Sequence, residues 1–382
     1  MKNYFFNYSI AFALFFCIVV CNPACNEKKM EKSLVSFVSD SLHPVKYAQY
    51  FRLGFYKQYR SVQIVNPWDT SQVKASFVIL PENEKEPEIS SEFTIIKLPI
   101  RKIATTSGTL VSFLEKIGML SSLKGISDAS FILNPFISSE YKKGNIENIG
   151  SMESINHEKL LFLNPDITFI SLFRDFDPGK LSEITQVAYL ADYIEKTPLG
   201  RAEWLRFIAV FYGKEKEADS IFSEIESSYL KLKASVNQLQ NRPTVFDGMF
   251  FQGSWYLSGG DSYMARYYKD AGVDYIWGTD SSTASFPLGF EEIYLSASKA
   301  DFWRITVNSD QTYSMERFLA EDERYALFKA FTHKNIVYCD TKNLPYFERG
   351  IIEPHIILAD LVKAFHPELL KDYKPVYYHI LK

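Results

Sequence analysis

Cysteine is nearly absent from the body of this 382-residue chain. Of its four, Cys17, Cys21 and Cys25 stand within the first 25 residues, and only Cys339 lies beyond them. A lone thiol builds no disulfide framework, so stability has to come from buried apolar surface. Histidine is scarce as well. None of the six, His43, His157, His333, His355, His366 and His379, forms an HxH pair or a His-rich loop, which points away from direct capture of Zn²⁺ or Mn²⁺. His157-Glu158 looks like the start of the zincin motif HExxH, but position 161 is Leu, so no second imidazole shares the helical face. Excess positive charge is missing too. With 42 Lys and Arg against 46 Asp and Glu the net charge is −4, and no basic cluster offers a footprint for nucleic acid. No GxSxG elbow, Walker A loop or GxGxxG follows an expected strand, and SGGDS at 258–262 has none of those spacings. An envelope enzyme on an α/β core is thereby the weaker of the competing readings.

What is present begins with an export signal. An early Lys, an apolar run from about Ile10 to Val20 and a small residue before Cys25 match a secretory leader, too short to span a bilayer. Asn22 and Pro23 make a poor lipobox, yet Ala24-Cys25 followed by a polar stretch fits lipoprotein processing. Cys25 is the expected lipidated residue, with Cys21 the alternative. Acyl chains contribute about 0.8 kcal/mol per buried methylene, so several would hold the mature chain on a membrane surface. The expected location is the periplasm or cell envelope, as a membrane-anchored lipoprotein.

Six segments are expected: a signal peptide (1–24), a tether (25–45), a β-rich extension (46–100), an N-terminal α/β lobe (101–213), a connecting backbone helix (214–241) and a C-terminal α/β lobe (242–382). In the extension, SVQIV, ASFVIL and FTIIKL read as strands of a small meander, punctuated by NPWD and by PENEKEPE as a solvated turn. From Arg101 the pattern alternates strand and helix, as in RKIAT then TLVSFLEKIGML. Asn164-Pro165 stops a helix and PDITFIS starts a buried strand. Such alternation predicts Rossmann-like lobes with parallel central sheets. A second set runs from Pro243 through TVFDG, SYMARYYKDAG, FEEIYLSAS, DFWRITV and NIVYCD, and IEPHIILADLVKAFHPELL reads as a late helix. Between the sets, Ala218, Ile221, Phe222, Ile225, Tyr229, Leu232, Val236 and Leu239 fall on one stripe at steps of three and four. That predicts one helix of roughly 25 residues, about 37 Å long. The fold class is α/β, two lobes joined by one long helix after a small β-rich extension.

Four blocks within about Arg101 to Lys382, taken in order, resemble the helical-backbone (class III) periplasmic substrate-binding proteins of ABC importers for ferric siderophores, haem and cobalamin. They are RKIATTSGTLVSFLEKIGMLSSLKGISD, NIGSMESINHEKLLFLNPDITFIS, WYLSGGDSYMARYYKDAGVDYIW and PLGFEEIYLSASKADFWRI. The β-rich stretch lies outside the common core and resembles an extension of lipoprotein members of the Bacteroidetes type. The resemblance implies a lipoprotein that captures a ferric iron complex in an interlobe cleft and delivers it to a permease, with no chemistry of its own and no permanently bound cofactor. Cobalamin is the alternative cargo, and an importer-independent surface receptor a further alternative. It also implies that an acidic residue on each lobe docks on permease arginines, and Glu158 and Glu291 occupy the matching positions. Carboxylates at helix starts are favoured by the helix dipole and, on a rigid body, can fix docking register.

In α/β lobes ligands gather at the carboxyl ends of strands, so residues just after strands are the candidates for the cleft. These are Thr106, Ser107, Phe131 to Phe136 and Arg174 in the first lobe, and Phe251, Trp255, Tyr256, Asn308, Tyr313, Tyr346 and Arg349 in the second. Tyr and Trp offer flat faces to a macrocycle or catecholate, and Arg can neutralise an anionic chelate.

Overall fold

The first element of the described residues belongs to neither lobe. The computed structural model describes residues 45–174 and 176–382, so the leader, Cys21, Cys25 and nearly all of the tether lie outside the described residues. Strands β1 (Phe51–Phe55), β2 (Arg60–Val65), β3 (Val73–Pro81) and β4 (Phe93–Leu98) form one sheet in that order. β1, β2 and β3 pair antiparallel, but β4 runs parallel to β3. This corrects the expected meander: the mostly exposed PENEKEPE stretch, instead of making a tight turn, belongs to a longer excursion that carries the chain back to the end of the sheet at which β3 began. The inner face of the sheet covers the Pro198–Val210 helix. Phe51 meets Trp204 and Phe207 edge-on at 5.0 and 5.6 Å, and Phe77 meets Phe211 at 5.8 Å. That helix is consequently apolar on nearly every side, as an element covered on both faces must be.

Two buried carboxylates seat the entry to β1. Glu203 accepts from the backbone N–H groups of Lys46, Tyr47 and Ala48 at 2.7–2.9 Å. Glu195 accepts from those of Gln49 and Tyr50 at 2.9 and 3.2 Å and from Trp204 Nε1 at 3.1 Å. Burial pushes the Glu195 carboxyl up to about 7, and Glu203 adds repulsion, against the lowering effect of those donors.

The first lobe holds β5 (Ile103–Thr105), β6 (Leu123–Ile126), β7 (Glu147–Asn148), β8 (Ile167–Ser171) and β9 (Gln186–Leu190). All are parallel, in the order β7-β6-β5-β8-β9, so the winding reverses between β5 and β8. Ile167, Phe169 and Ile170 are fully buried, the continuous apolar signature of a strand covered on both faces. The His157–Leu163 helix leading into β8 ends on Asn164 in the left-handed region, φ 47°, just before Pro165.

The second lobe repeats the plan with β10 (Thr244–Asp247), β11 (Met249–Phe251), β12 (Ser254–Leu257), β13 (Asp274–Tyr275), β14 (Phe286–Leu288), β15 (Phe302–Val307), β16 (Ile336–Asp340) and β17 (His379–Ile380). Its main sheet is ordered β13-β10-β15-β16-β17, parallel except for the last strand, and reverses between β10 and β15. β11, β12 and β14 form a small antiparallel sheet of their own.

The connecting helix is Glu215–Val236, 22 residues, or about 33 Å at 1.5 Å per residue. Ala218, Phe222, Ile225, Tyr229 and Val236 are buried along it, and it lies on the Pro198–Val210 helix of the first lobe and the Pro354–Phe365 helix of the second. Leu239, expected on the same stripe, falls beyond its end. One apolar cluster runs unbroken from the β1–β4 sheet through the first lobe and this helix into Pro354–Phe365; the outer part of the second lobe has its own, around Trp255 and Trp303. Among the described residues no helix is long and apolar enough to cross a membrane.

Candidate functional site

Both sheets direct loops into a cleft of about 670 Å³, within the range of small-ligand sites. The loop after β5 contributes Gly108 and Thr109, and that after β6 contributes Phe131 and Leu133. Tyr193 follows β9, and Asn308 and Lys342 follow β15 and β16. Phe131, 79 % exposed, and Phe347, 64 % exposed, bring bare aromatic faces from the two lobes.

Arg201, in the first lobe, stacks its guanidinium 3.6 Å from the ring centre of Tyr263 in the second. Its Nε donates to the Glu195 carbonyl at 3.0 Å and an Nη to the Tyr193 carbonyl. Its charge acts on the buried Asp192 carboxyl, which burial nevertheless holds above the usual range, and no carboxylate of the described residues forms an ion pair with it, so a fixed cation stands on the cleft wall without an ion-pair partner. Lys342, the other cation there, pairs with Asp310 at the surface.

Tyr346 is buried among the cleft walls and backed by a directed hydrogen-bond chain. The Arg304 guanidinium donates to Tyr378 Oη at 2.5 and 3.2 Å, and the Tyr378 hydroxyl donates to Tyr346 Oη at 3.1 Å. A guanidinium can only donate, which sets the order of the chain and leaves the Tyr346 proton for a further acceptor. Burial holds the Tyr346 hydroxyl well above its usual titration range, so it stays a donor.

Glu348 closes one flank of the cleft by accepting from Leu133 N at 2.5 Å and Asn134 N at 3.1 Å across the lobes. Burial raises its carboxyl above the usual range. Beyond the cleft, Lys196 and Asp261 pair across the lobes at 2.6 Å. Among the described residues no three His, Cys, Asp or Glu side chains converge as a metal site.

Of the residues expected here, Tyr346, Asn308, Phe131, Ile132 and Leu133 line the cleft. The others are placed elsewhere. Thr106 and Ser107 sit at the switch point but turn their hydroxyls inward: Thr106 Oγ1 accepts from Ser171 N at 3.1 Å, and Ser107 Oγ lies 2.7 Å from Thr109 Oγ1, which donates to buried Asp192. The lining positions come one and two residues later, at half-buried Gly108 and Thr109. Arg174 is exposed on the loop after β8, its guanidinium 5.9 Å from the Trp68 ring of the β1–β4 sheet. Trp255 has no exposed surface: its ring stacks 5.1 Å from Trp303 and its Nε1 donates to the Asp247 carbonyl at 2.9 Å. Tyr256, the next residue on the strand, faces the opposite way into solvent, outside the cleft, as does Phe251. Tyr313 is buried and donates to Glu321 at 2.7 Å. Arg349 points out of the cleft and pairs with Glu353 at 2.8 Å. The cleft expectations for Thr106, Ser107, Arg174, Trp255, Tyr256, Tyr313 and Arg349 are corrected accordingly.

The unforeseen residues are Arg201, Tyr263, Tyr267, Tyr193 and Glu348. Tyr263 and Tyr267 lie four apart in SYMARYYKD, one face of a helix, which was the available signal.

Glu158 and Glu291 are exposed in the first turns of the His157–Leu163 and Phe290–Ala297 helices. Three and four residues after each stands an exposed apolar pair: Leu161 and Phe162 at 66 and 86 %, Tyr294 and Leu295 at 37 and 82 %.

The family model for periplasmic binding proteins matches residues 103–342. An uncharacterised lipoprotein of Methanocaldococcus jannaschii is 28 % identical over 359 residues, covering 86 % of this chain and 83 % of that one. Among solved structures, a periplasmic haem-binding protein from Pseudomonas aeruginosa superposes with a TM-score of 0.56 at 16 % identity, covering 74 % of this chain and 99 % of that one. The siderophore-binding protein BauB, bound to a complex of two acinetobactin molecules and ferric iron, gives 0.55 at 17 % identity, covering 70 % and 93 %.

Proposed function

The chain belongs to the periplasmic binding protein family, whose members bind without catalysing, and from that premise we propose that it captures a ferric iron complex, a siderophore chelate or haem, in the interlobe cleft. One observation carries the cargo class. Arg201 stands on the cleft wall with no ion-pair partner among the described residues and with its guanidinium stacked on Tyr263, beside the open aromatic faces of Phe131 and Phe347. Flat apolar faces next to a rigid cation suit an anionic, ring-rich metal chelate. The free proton of Tyr346 supplies a directed hydrogen bond to its oxygens. The names of the haem-binding and siderophore-binding neighbours are consistent with that class.

Delivery is to the permease of an ABC importer, docked through Glu158 and Glu291. The repeat of one arrangement on the two lobes, a first-turn glutamate followed by an exposed apolar pair, supports a partner with two like sockets. A lipid on Cys25 holds the protein at the membrane, in keeping with the name of its archaeal lipoprotein relative.

Calorimetric titration of residues 26–382 with ferric catecholate, ferric hydroxamate, haemin and cyanocobalamin tests the cargo. Tryptophan emission is a poorer reporter, since Trp204, Trp255 and Trp303 are fully buried. Saturable binding of an iron complex below about 1 µM, the range of −8 kcal/mol, is the expected result. Binding of cyanocobalamin alone would replace the cargo, and binding of none would refute the reading.

A further inference from the structure

A second cavity, of about 680 Å³, opens where the end of the connecting helix meets the second lobe. It shares no lining residue with the cleft. A narrower groove of about 220 Å³ lies between the two, touching Arg201 and Tyr263 on the cleft side and Lys196 and Asp261 on the other.

The walls of this cavity are charged rather than aromatic. Lys196 pairs with Asp261 at 2.6 Å, Lys233 with Asp270 at 2.9 Å and Arg242 with Asp274 at 2.9 Å. Each acid on the wall is thereby matched by a base. Two cations remain: half-buried Arg266 and exposed Lys269, three residues apart on the Tyr263–Asp270 helix, line the same space and form no ion pair among the described residues. The helix runs along the wall from Ser262 at its N-cap to Asp270 at its last residue, so both ends of its dipole border the cavity and the surplus charge is that of the two side chains. The protein as a whole is acidic, so an uncompensated pair of cations in a concave site is a local feature, not a reflection of overall charge.

We infer that this cavity is a second binding site, for an anion carrying a phosphoryl group. Two surplus positive charges match a phosphoryl dianion, and a guanidinium beside an ammonium offers several N–H donors to its oxygens. The volume admits a ligand larger than phosphate alone. The phosphoryl group has two sources, a free phosphorylated compound or the headgroup of an anionic phospholipid. Because Lys196, on the first lobe, and Lys233, on the connecting helix, both face it, occupancy bears on the junction between the lobes.

The test is calorimetric titration of residues 26–382 with inorganic pyrophosphate, for the natural sequence and for Arg266→Gln with Lys269→Gln. A parallel arm measures co-sedimentation with phosphatidylcholine vesicles with and without phosphatidic acid. The expected result is saturable pyrophosphate binding that the double variant weakens at least about tenfold and that added salt weakens further. Vesicle binding that needs phosphatidic acid, is lost in the variant and is competed by pyrophosphate identifies the lipid source; pyrophosphate binding alone identifies the free one. Absence of saturable binding in both arms overturns the inference. So does binding that the double variant leaves unchanged, with Lys269→Glu as a second variant should the first melt early.

Discussion

Glu195 provides a quantitative test of how the β1–β4 sheet is attached. Its carboxyl is 1 % exposed and titrates near 7, raised chiefly by burial, whereas in the unfolded chain it titrates near 4.5. Between those pH values the folded protein holds a proton that the unfolded chain has released. Stability then falls as pH rises, the opposite of the behaviour of a salt-bridged carboxylate. At 1.36 kcal/mol per pH unit, the interval from 4.5 to about 7 amounts to about 3 kcal/mol, present in full below 4.5 and lost by about pH 7. Other groups titrate in the same window: burial lowers His355 and His366, which makes acid destabilising. The informative quantity is therefore the difference between the natural chain and Glu195→Gln, measured by urea unfolding at several pH values from 4.5 to 8. Gln keeps one acceptor for the N–H groups of Gln49, Tyr50 and Trp204, so its intrinsic cost is a constant offset. The variant should gain about 3 kcal/mol relative to the natural chain across that range. A difference that does not change with pH would show that the three donors hold Glu195 ionised throughout, and the reasoning from burial would fail.

Other expectations follow from the cleft and the lobe surfaces. Arg201→Ala should weaken the iron complex by about 1.5–3 kcal/mol, roughly ten- to a hundredfold, with the melting temperature little changed; unchanged affinity by calorimetry would remove Arg201 from the site. Trp255→Ala should cost about 3–5 kcal/mol of stability, whereas Trp255→Phe should leave ligand affinity intact, and a large affinity loss in the latter would contradict the buried placement. Glu158→Lys with Glu291→Lys should abolish uptake in cells while ligand affinity in vitro stays the same; unimpaired uptake would refute docking through those helices. Phe162→Ser with Leu295→Ser should likewise reduce uptake without touching affinity.

Much of the architecture was legible because it is written in local periodicity. The stripe from Ala218 to Val236 reads directly as the connecting helix, and Asn164-Pro165 marks the passage from helix to strand. The cleft was less legible, because its walls are set by direction as much as by position. On β12 the pleat sends Trp255 into the core and Tyr256 to solvent, so choosing residues near a strand end cannot say which of two neighbours faces a ligand. Gly108 and Thr109 form the wall because Thr106 and Ser107 satisfy their hydroxyls inside the turn. Tyr193 escapes a local reading because QVAYL, only five residues long, does not stand out as the strand that precedes it. Arg201 and Tyr263 lie 62 positions apart and meet only in the folded chain, which no local pattern reports.

The apolar cluster that passes from the β1–β4 sheet through the connecting helix to Pro354–Phe365 has a consequence for how the molecule comes apart. Neither half owns a complete interior: severing the chain after Val236 would strip Tyr229 of the Tyr267 ring and the Asp270 carboxylate and would leave the Pro354–Phe365 helix without its seat. Heat should accordingly melt the two halves together, in one transition whose calorimetric and van't Hoff enthalpies agree. A fragment ending at the connecting helix should behave as a sticky, partly ordered chain instead of a working half.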